Sequence, residues 1–367
     1  MIVSRLYSVQ ALRAVAALAV LAGHLAQNEI RFLDAPLLPA WLQAGASGVD
    51  LFFVISGFVM VYVTRGMGRA APAQSARFLY QRAARIYPAY WLFTGLVLIG
   101  YLLMPGSLTR GLDELNLLAS LTLWPVSSPP VLLVAWTLIH ELYFYLVFAG
   151  LLLLPGRLFV PALSVWIAAI LAAHWSGLAY SGAVAGLAFH PLTLEFIAGC
   201  AIGLLVCSGR RRFGAASLVA GLALWAGSFA WLAPAGPADI PMGWLRVGIW
   251  GVPAVLTTYG VVTLEIDHRM RTPGPLVALG DWSYALYLAH LPVVALLVRL
   301  VDRFVPETGP LPNLIFIATA SLASIAVAGL TYRLFERPVL ALTRKWGDRV
   351  FPAAPFLREP PIAARIW

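Results

Sequence analysis

The sequence predicts an all-α fold, a polytopic bundle of about ten membrane-spanning helices with no soluble domain, on three observations. The 367 residues are 61% hydrophobic and only 11% charged, where an ordinary globular domain has about a quarter charged. The apolar runs are each long enough, at roughly 20 residues, to cross a bilayer. Basic residues gather in short segments between those runs. This clustering assigns the net charge of +9 to membrane topology and argues against nucleic-acid binding.

In order, the runs fall near 8–27, 47–64, 87–104, 131–154, 157–175, 184–207, 213–233, 244–264, 276–300 and 313–335. The first follows Arg5, exceeds a secretory signal core, carries Arg13 and reaches no small-residue cleavage site, so it reads as a retained span. The run at 115–126 is too short to cross and is followed by SSPP. With that run left out, every strongly basic segment falls on one side: Arg5, Arg65 to Arg85, Arg210 to Arg212, His268 to Arg271, and Arg344 to Arg349. Both termini are then expected in the cytoplasm, and 105–130 is expected as an outer loop or a re-entrant element. Residues 1–343 make the membrane domain, and 344–367 a flexible cytoplasmic tail. Cys200 and Cys207 share one apolar run and form neither a disulfide framework nor a metal pattern, so no metal is expected.

Chemistry in such a chain is read from polar residues at membrane depth, where a charge costs roughly 3 kcal/mol or more and usually faces protein or water. Arg13 and His24 lie on the first run. Eleven residues at about 100° each bring both side chains to nearly one face, about 16 Å apart along the axis. Such a face can hold one elongated ligand by both ends. Asp50, near the start of the second run, is either a helix cap or an intramembrane charge, and Gly48 and Gly57 allow close helix packing. Arg82 and Arg85 share a face at the cytoplasmic boundary, where they suit lipid headgroups or the oxygens of a diphosphate.

Glu141 lies about ten residues into its run, beside His140. It is expected to pair with Arg13 or His24 or to stay protonated. His190 and Glu195 flank a helix break at Pro191. Ser283, Tyr284, Tyr287 and His290 bring hydroxyls and an imidazole to one wall, where any one alone would be an ordinary packing residue.

Seven segments, QALRAVAALAVLAGH, GVDLFFVISGF, RAARIYPAYW, WTLIHELYFY, EFIAGCAIG, LGDWSYALYLAHLPV and FERP, resemble in this order the acyltransferase-3 family of integral membrane acyltransferases. The match runs from about Ser8 to Pro338, and the opening is most similar to the exopolysaccharide-acetylating branch. The resemblance implies a bacterial cytoplasmic (inner) membrane enzyme that uses acyl-CoA, commonly acetyl-CoA, to acylate a hydroxyl of a glycan or lipid-linked oligosaccharide. Arg13 and His24 match the family's R-x10-H, Arg82 and Arg85 its R-x-x-R, and Glu141, with Thr137, its W-[ST]-L-x-x-E segment.

On that reading Arg82, Arg85 and Arg13 hold the donor's phosphates, and neutral His24 is the general base, since an imidazole with a pKa of about 6.5 suits neutral pH. Glu141 or Asp50 orients His24. Tyr287, Ser283 or an arginine stabilises the oxyanion, and Tyr284 and His290 complete the substrate wall. An acyl-histidine intermediate is the mechanistic rival. A transporter of an acyl donor or anionic substrate is the functional one, since intramembrane charges beside a broken helix also suit carriers.

Overall fold

A computed structural model describes residues 5–34, 36–65, 72–103, 115–233, 241–305 and 310–351. Among these there is no strand. In chain order the helices are α1 (Tyr7–Phe32), α2 (Gly48–Thr64, entered through a 3-10 segment, Ala40–Ser47), α3 (Pro72–Leu103), α4 (Leu117–Thr122) and α5 (Trp136–Leu152). There follow α6 (Phe159–Trp175), α7 (Ala183–Ala188), α8 (Thr193–Cys207), α9 (Gly214–Leu232) and α10 (Gly243–Arg246). A π-turn, Val247–Gly251, leads into α11 (Val252–Ile266), then α12 (Gly274–Phe304) and α13 (Pro310–Thr331). A second π-turn, Tyr332–Glu336, leads into α14 (Arg337–Val350). Merged across their turns, these make 10 helices long and apolar enough to cross a membrane, matching the ten runs in place and order.

Close packing fixes which helices meet. A β-carbon on Gly57 of α2 would stand 1.9 Å from the Phe196 carbonyl oxygen of α8, and one on Gly199 of α8 would stand 2.1 Å from that of Val54. The two backbones touch, which in lipid replaces hydrophobic driving force with van der Waals contact. On the other side α1 and α12 run in the same direction. Gly280 lies against Gln10, Arg5 pairs with Asp281, and the Ser8 hydroxyl donates to Glu265 of α11. Phe53, Phe144 and Phe196 stack between α2, α5 and α8 and fill the centre.

Two expectations change, and that of a run too short to cross holds. Helix α3 begins at Pro72, well before the apolar run near 87, so Arg82 sits inside the bundle at 4% exposure instead of at a lipid boundary. The short run after residue 115 folds as the small helix α4, with Asn116 as its cap, tied to α3 by Tyr87, Tyr90 and Trp91. The stretch expected as a loose tail from 344 begins as helix. Tyr80 donates to the Thr343 carbonyl, Arg77 pairs with Asp348 at 2.8 Å, and Gly347 packs on the Tyr80 ring. Residues 352–367 lie outside the described residues. The break at Pro191 separates α7 from α8 as the proline predicts.

Candidate active site

Helices α1 and α12 line two chambers, one towards each end of the bundle. The first, of about 80 Å³, lies at the end that holds the start of α1. Arg13, Ser56, Arg85, Glu141, Tyr284 and Tyr287 line it. Glu141 accepts from Ser56 Oγ at 3.2 Å and from the Tyr145 hydroxyl. Its charge acts on Arg13 together with those of Arg85 and Glu336. The expected pairing of Glu141 towards Arg13 is therefore electrostatic, and its direct partners are hydroxyls.

Arg85 is ion-paired with Glu336, which the π-turn after α13 delivers to the core. Arg82 stands over the rings of Phe78 and Tyr145, at 5.3 Å and 5.7 Å. Arg13, Arg85 and Glu141 thus line the chamber together, with Glu336 answering Arg85 and Arg82 lying beside the Tyr145 ring. A buried cation needs an anion or water at hand, so a chamber lined by two guanidiniums offers them to either.

The second chamber, of about 300 Å³, is lined by His24, Asn28, Arg31, Leu132, Pro292 and Arg299, among others. His24 Nδ1 lies 2.9 Å from the Val20 carbonyl oxygen and 3.3 Å from His290 Nε2, and His290 Nδ1 lies 3.1 Å from the Leu286 oxygen. Carbonyl oxygens only accept, so in the neutral rings both Nδ1 atoms carry the proton. His290 Nε2 is then an acceptor that shares the His24 Nδ1 proton with Val20. The nitrogen left to His24 as a base is Nε2. When it takes a proton, the resulting imidazolium finds two acceptors already in place on its other side.

A partition separates the chambers. Tyr287 exchanges a hydrogen bond with Thr137 at 2.9 Å, and its ring lies 5.8 Å from that of His290. The expectation that Arg13 and His24 hold one ligand along an open face is corrected here: α12 crosses that face and fills it with Tyr287 and His290. Ser283 and Tyr284 lie on the Arg13 side, where the Tyr284 hydroxyl donates to the Ile86 carbonyl at 2.7 Å.

Asp50 is not the partner of His24. Fully buried at 0% exposure, it takes three guanidinium contacts from Arg246, at 2.7 Å, 2.9 Å and 3.1 Å, with Glu195 beside it. Nor does it cap α2. Its charge is used up in a bidentate buried pair.

Sequence reasoning missed Arg246, Glu336, Ser56 and Tyr145. Arg246 is a cation inside an apolar run, which is the same signal that singled out Arg13. Glu336 belongs to the FERP segment, but nothing local shows that a π-turn aims it inward. Ser56 and Tyr145 carry no pattern that distinguishes them from packing residues.

The arrangement defines a helical membrane protein with a guanidinium-lined chamber towards one end of a helix pair and two hydrogen-bonded imidazoles towards the other. The acyltransferase domain model of the acyltransferase-3 family matches residues 6–333. The chain is 37% identical over 308 residues to the exopolysaccharide production protein ExoZ of Rhizobium meliloti, covering 81% of this chain and 90% of that protein. It is 26% identical to the acyltransferase MdmB of Streptomyces mycarofaciens, over 93% of each. It is 23% identical to the peptidoglycan O-acetyltransferase OatA of Listeria monocytogenes, over 90% of this chain and 55% of that protein. No solved structure matches. The chain belongs to the acyltransferase-3 family and is a multi-pass membrane O-acyltransferase.

Proposed function

We propose that the enzyme moves an acyl group, acetyl in the first instance, from acyl-CoA to a hydroxyl of a cell-surface or exopolysaccharide glycan, presented as polymer or as lipid-linked oligosaccharide. It works in the bacterial cytoplasmic membrane with both termini on the cytoplasmic side. The observation that carries this reading is the chamber lined by Arg13 and Arg85 towards one end of the α1–α12 pair, with a hydrogen-bonded imidazole pair towards the other. Coenzyme A has that polarity, with phosphates at one end and a thioester at the other. The rhizobial relative is named for exopolysaccharide production and the listerial one for peptidoglycan O-acetylation, which supports a glycan acceptor.

Arg13, Arg82 and Arg85 bind the donor's phosphates on the cytoplasmic side. The acceptor's O–H proton passes to His24 Nε2 as its oxygen bonds the carbonyl carbon; the C–S bond breaks and CoA leaves as a thiolate that is then protonated. His290 and the Val20 carbonyl hold the imidazolium. For a donor held at Arg85 to present its thioester to His24, Tyr287 must part from Thr137. This partition also favours a second route, in which Nε2 takes the acyl group first and CoA departs before the acceptor binds.

The test uses purified protein in detergent with acetyl-CoA. CoA release without a sealed compartment supports an enzyme, whereas transport seen only in vesicles, without CoA release, overturns the reading. One equivalent of CoA released without acceptor selects the two-step route. Mass spectrometry of surface polysaccharide from cells with and without the gene identifies the transferred group.

A further inference from the structure

A third cavity lies at the His24 end of the bundle, and neither the donor nor the base uses it. It is open, about 540 Å³, and shares Pro129, Pro130 and Leu133 with the imidazole chamber. Its floor is polar in an unusual way. Trp136 and His140 stand one turn apart on α5, their rings edge to face at 5.7 Å. The turn at Pro191 brings in His190, whose ring lies 4.7 Å from that of His140. Ser127 and Ser128 sit in the loop that forms the rim.

The chemistry of this lining selects its ligand. None of the residues lining it is a carboxylate, a guanidinium or an ammonium, in contrast to the Arg13 chamber, so it does not suit a phosphate. Two imidazoles without a third ligand make no metal centre among the described residues. His190 Nδ1 accepts from the Leu192 N–H at 3.3 Å, so its neutral ring carries the proton on Nε2 and can donate it. An indole that offers apolar area, imidazoles that donate or accept, and serine hydroxyls on the rim suit a neutral polyhydroxylated ring, with its C–H face on the aromatic and its hydroxyls on the polar groups.

We propose that Trp136, His140 and His190 form the acceptor subsite, binding a neutral pyranose residue of the glycan next to the one presented to His24. The proposal rests on the reading of the acceptor as a glycan. The two cavities adjoin at Pro129, Pro130 and Leu133, which places a sugar bound in one beside the mouth of the other. It also gives the small helix α4 and the loop after it a purpose, since that loop forms one wall of each cavity.

The experiment is photolabelling of the full-length protein in a non-glycosidic detergent with a diazirine-bearing alkyl glucoside, read by peptide mass spectrometry. The expected result is label on residues 125–140 and 183–190, competed by free methyl glucoside. Trp136→Ala and the double variant His140→Ala/His190→Ala should lower this labelling about tenfold while acetyl-CoA affinity stays within about twofold, one decade of affinity being about 1.4 kcal/mol. The milder His190→Gln, which keeps a donor, should retain most of the label and guards against misfolding of the alanine forms. Label that falls on lipid-facing helices, or that competes no better with methyl glucoside than with an apolar alcohol, overturns the subsite. If CoA release proceeds and the label lies elsewhere, only the subsite fails. If the label maps here and no CoA is released, the subsite stands and the transfer reading fails.

Discussion

The two chambers on the α1–α12 pair are built in opposite ways. At the Arg13 end the groups are permanent charges, and each needs help from a distant part of the chain: Glu141 from α5, Glu336 from the π-turn after α13, hydroxyls from Ser56 and Tyr145. At the His24 end Arg31 and Arg299 also line the chamber, but the central groups are imidazoles, held by carbonyls of their own helices four residues back and by each other. A charge in a low-dielectric core demands partners whose removal is expensive, while a neutral ring can be satisfied locally. The Arg13 chamber is therefore a long-range construction, and the imidazole pair is a local one.

The comparison breaks most visibly at His24. His24→Ala should lower transfer by about two to four orders of magnitude, the usual contribution of a general base, and leave acetyl-CoA binding intact. Arg85→Ala should do the reverse and weaken donor binding first; isothermal titration with CoA separates the two. If His24→Ala also abolished CoA binding, the chambers would not be independent.

Next come the buried ion pairs. Glu336→Gln leaves Arg85 without its carboxylate, and Asp50→Asn does the same to Arg246. Each should destabilise the folded protein by about 3–5 kcal/mol, measured by thermal unfolding in detergent. Only Glu336→Gln should in addition change the affinity for CoA, because Asp50 and Arg246 lie apart from the Arg13 chamber. An equal effect of both on CoA affinity would remove the distinction between structural pair and site pair.

A smaller effect is expected at His290, a positioning residue. His290→Phe removes one of the two acceptors of the His24 Nδ1 proton and should lower kcat about ten- to hundredfold with KM for the donor unchanged, in keeping with a lost hydrogen bond to a developing charge of about 1.5–3 kcal/mol. His290→Asn, which can still accept, should recover part of that loss. Tyr287→Phe should matter least for stability, about 1 kcal/mol, since it deletes one hydroxyl from the partition with Thr137. Faster donor access in this variant would identify the tyrosine as the barrier between chambers.

Much of this was legible along the chain. The ten spans follow from apolar length, and Arg13, His24 and Glu141 stand out because charge and imidazole are rare at membrane depth. Arg82 and Arg85 were legible as a pair but not in depth, because helix α3 starts about four turns before its apolar stretch and carries them inward. Asp50 was legible as a buried charge, but its partner was not, since 196 residues separate it from Arg246. Glu336 was hidden for the same reason: the π-turn that rotates it inward has no signature in composition.

The sequence by itself determined the class of protein, the number and order of its long apolar spans, and which polar residues had to be shielded from lipid, because the bilayer penalises each residue according to its own chemistry and position. Only the tertiary structure decided which charge answers which, that Asp50 belongs to Arg246 and not to His24, and that Tyr287 divides the Arg13 chamber from the imidazoles. Those outcomes depend on how helices distant in the chain cross and how their side chains fill the gap, a matter of packing geometry that no local pattern encodes.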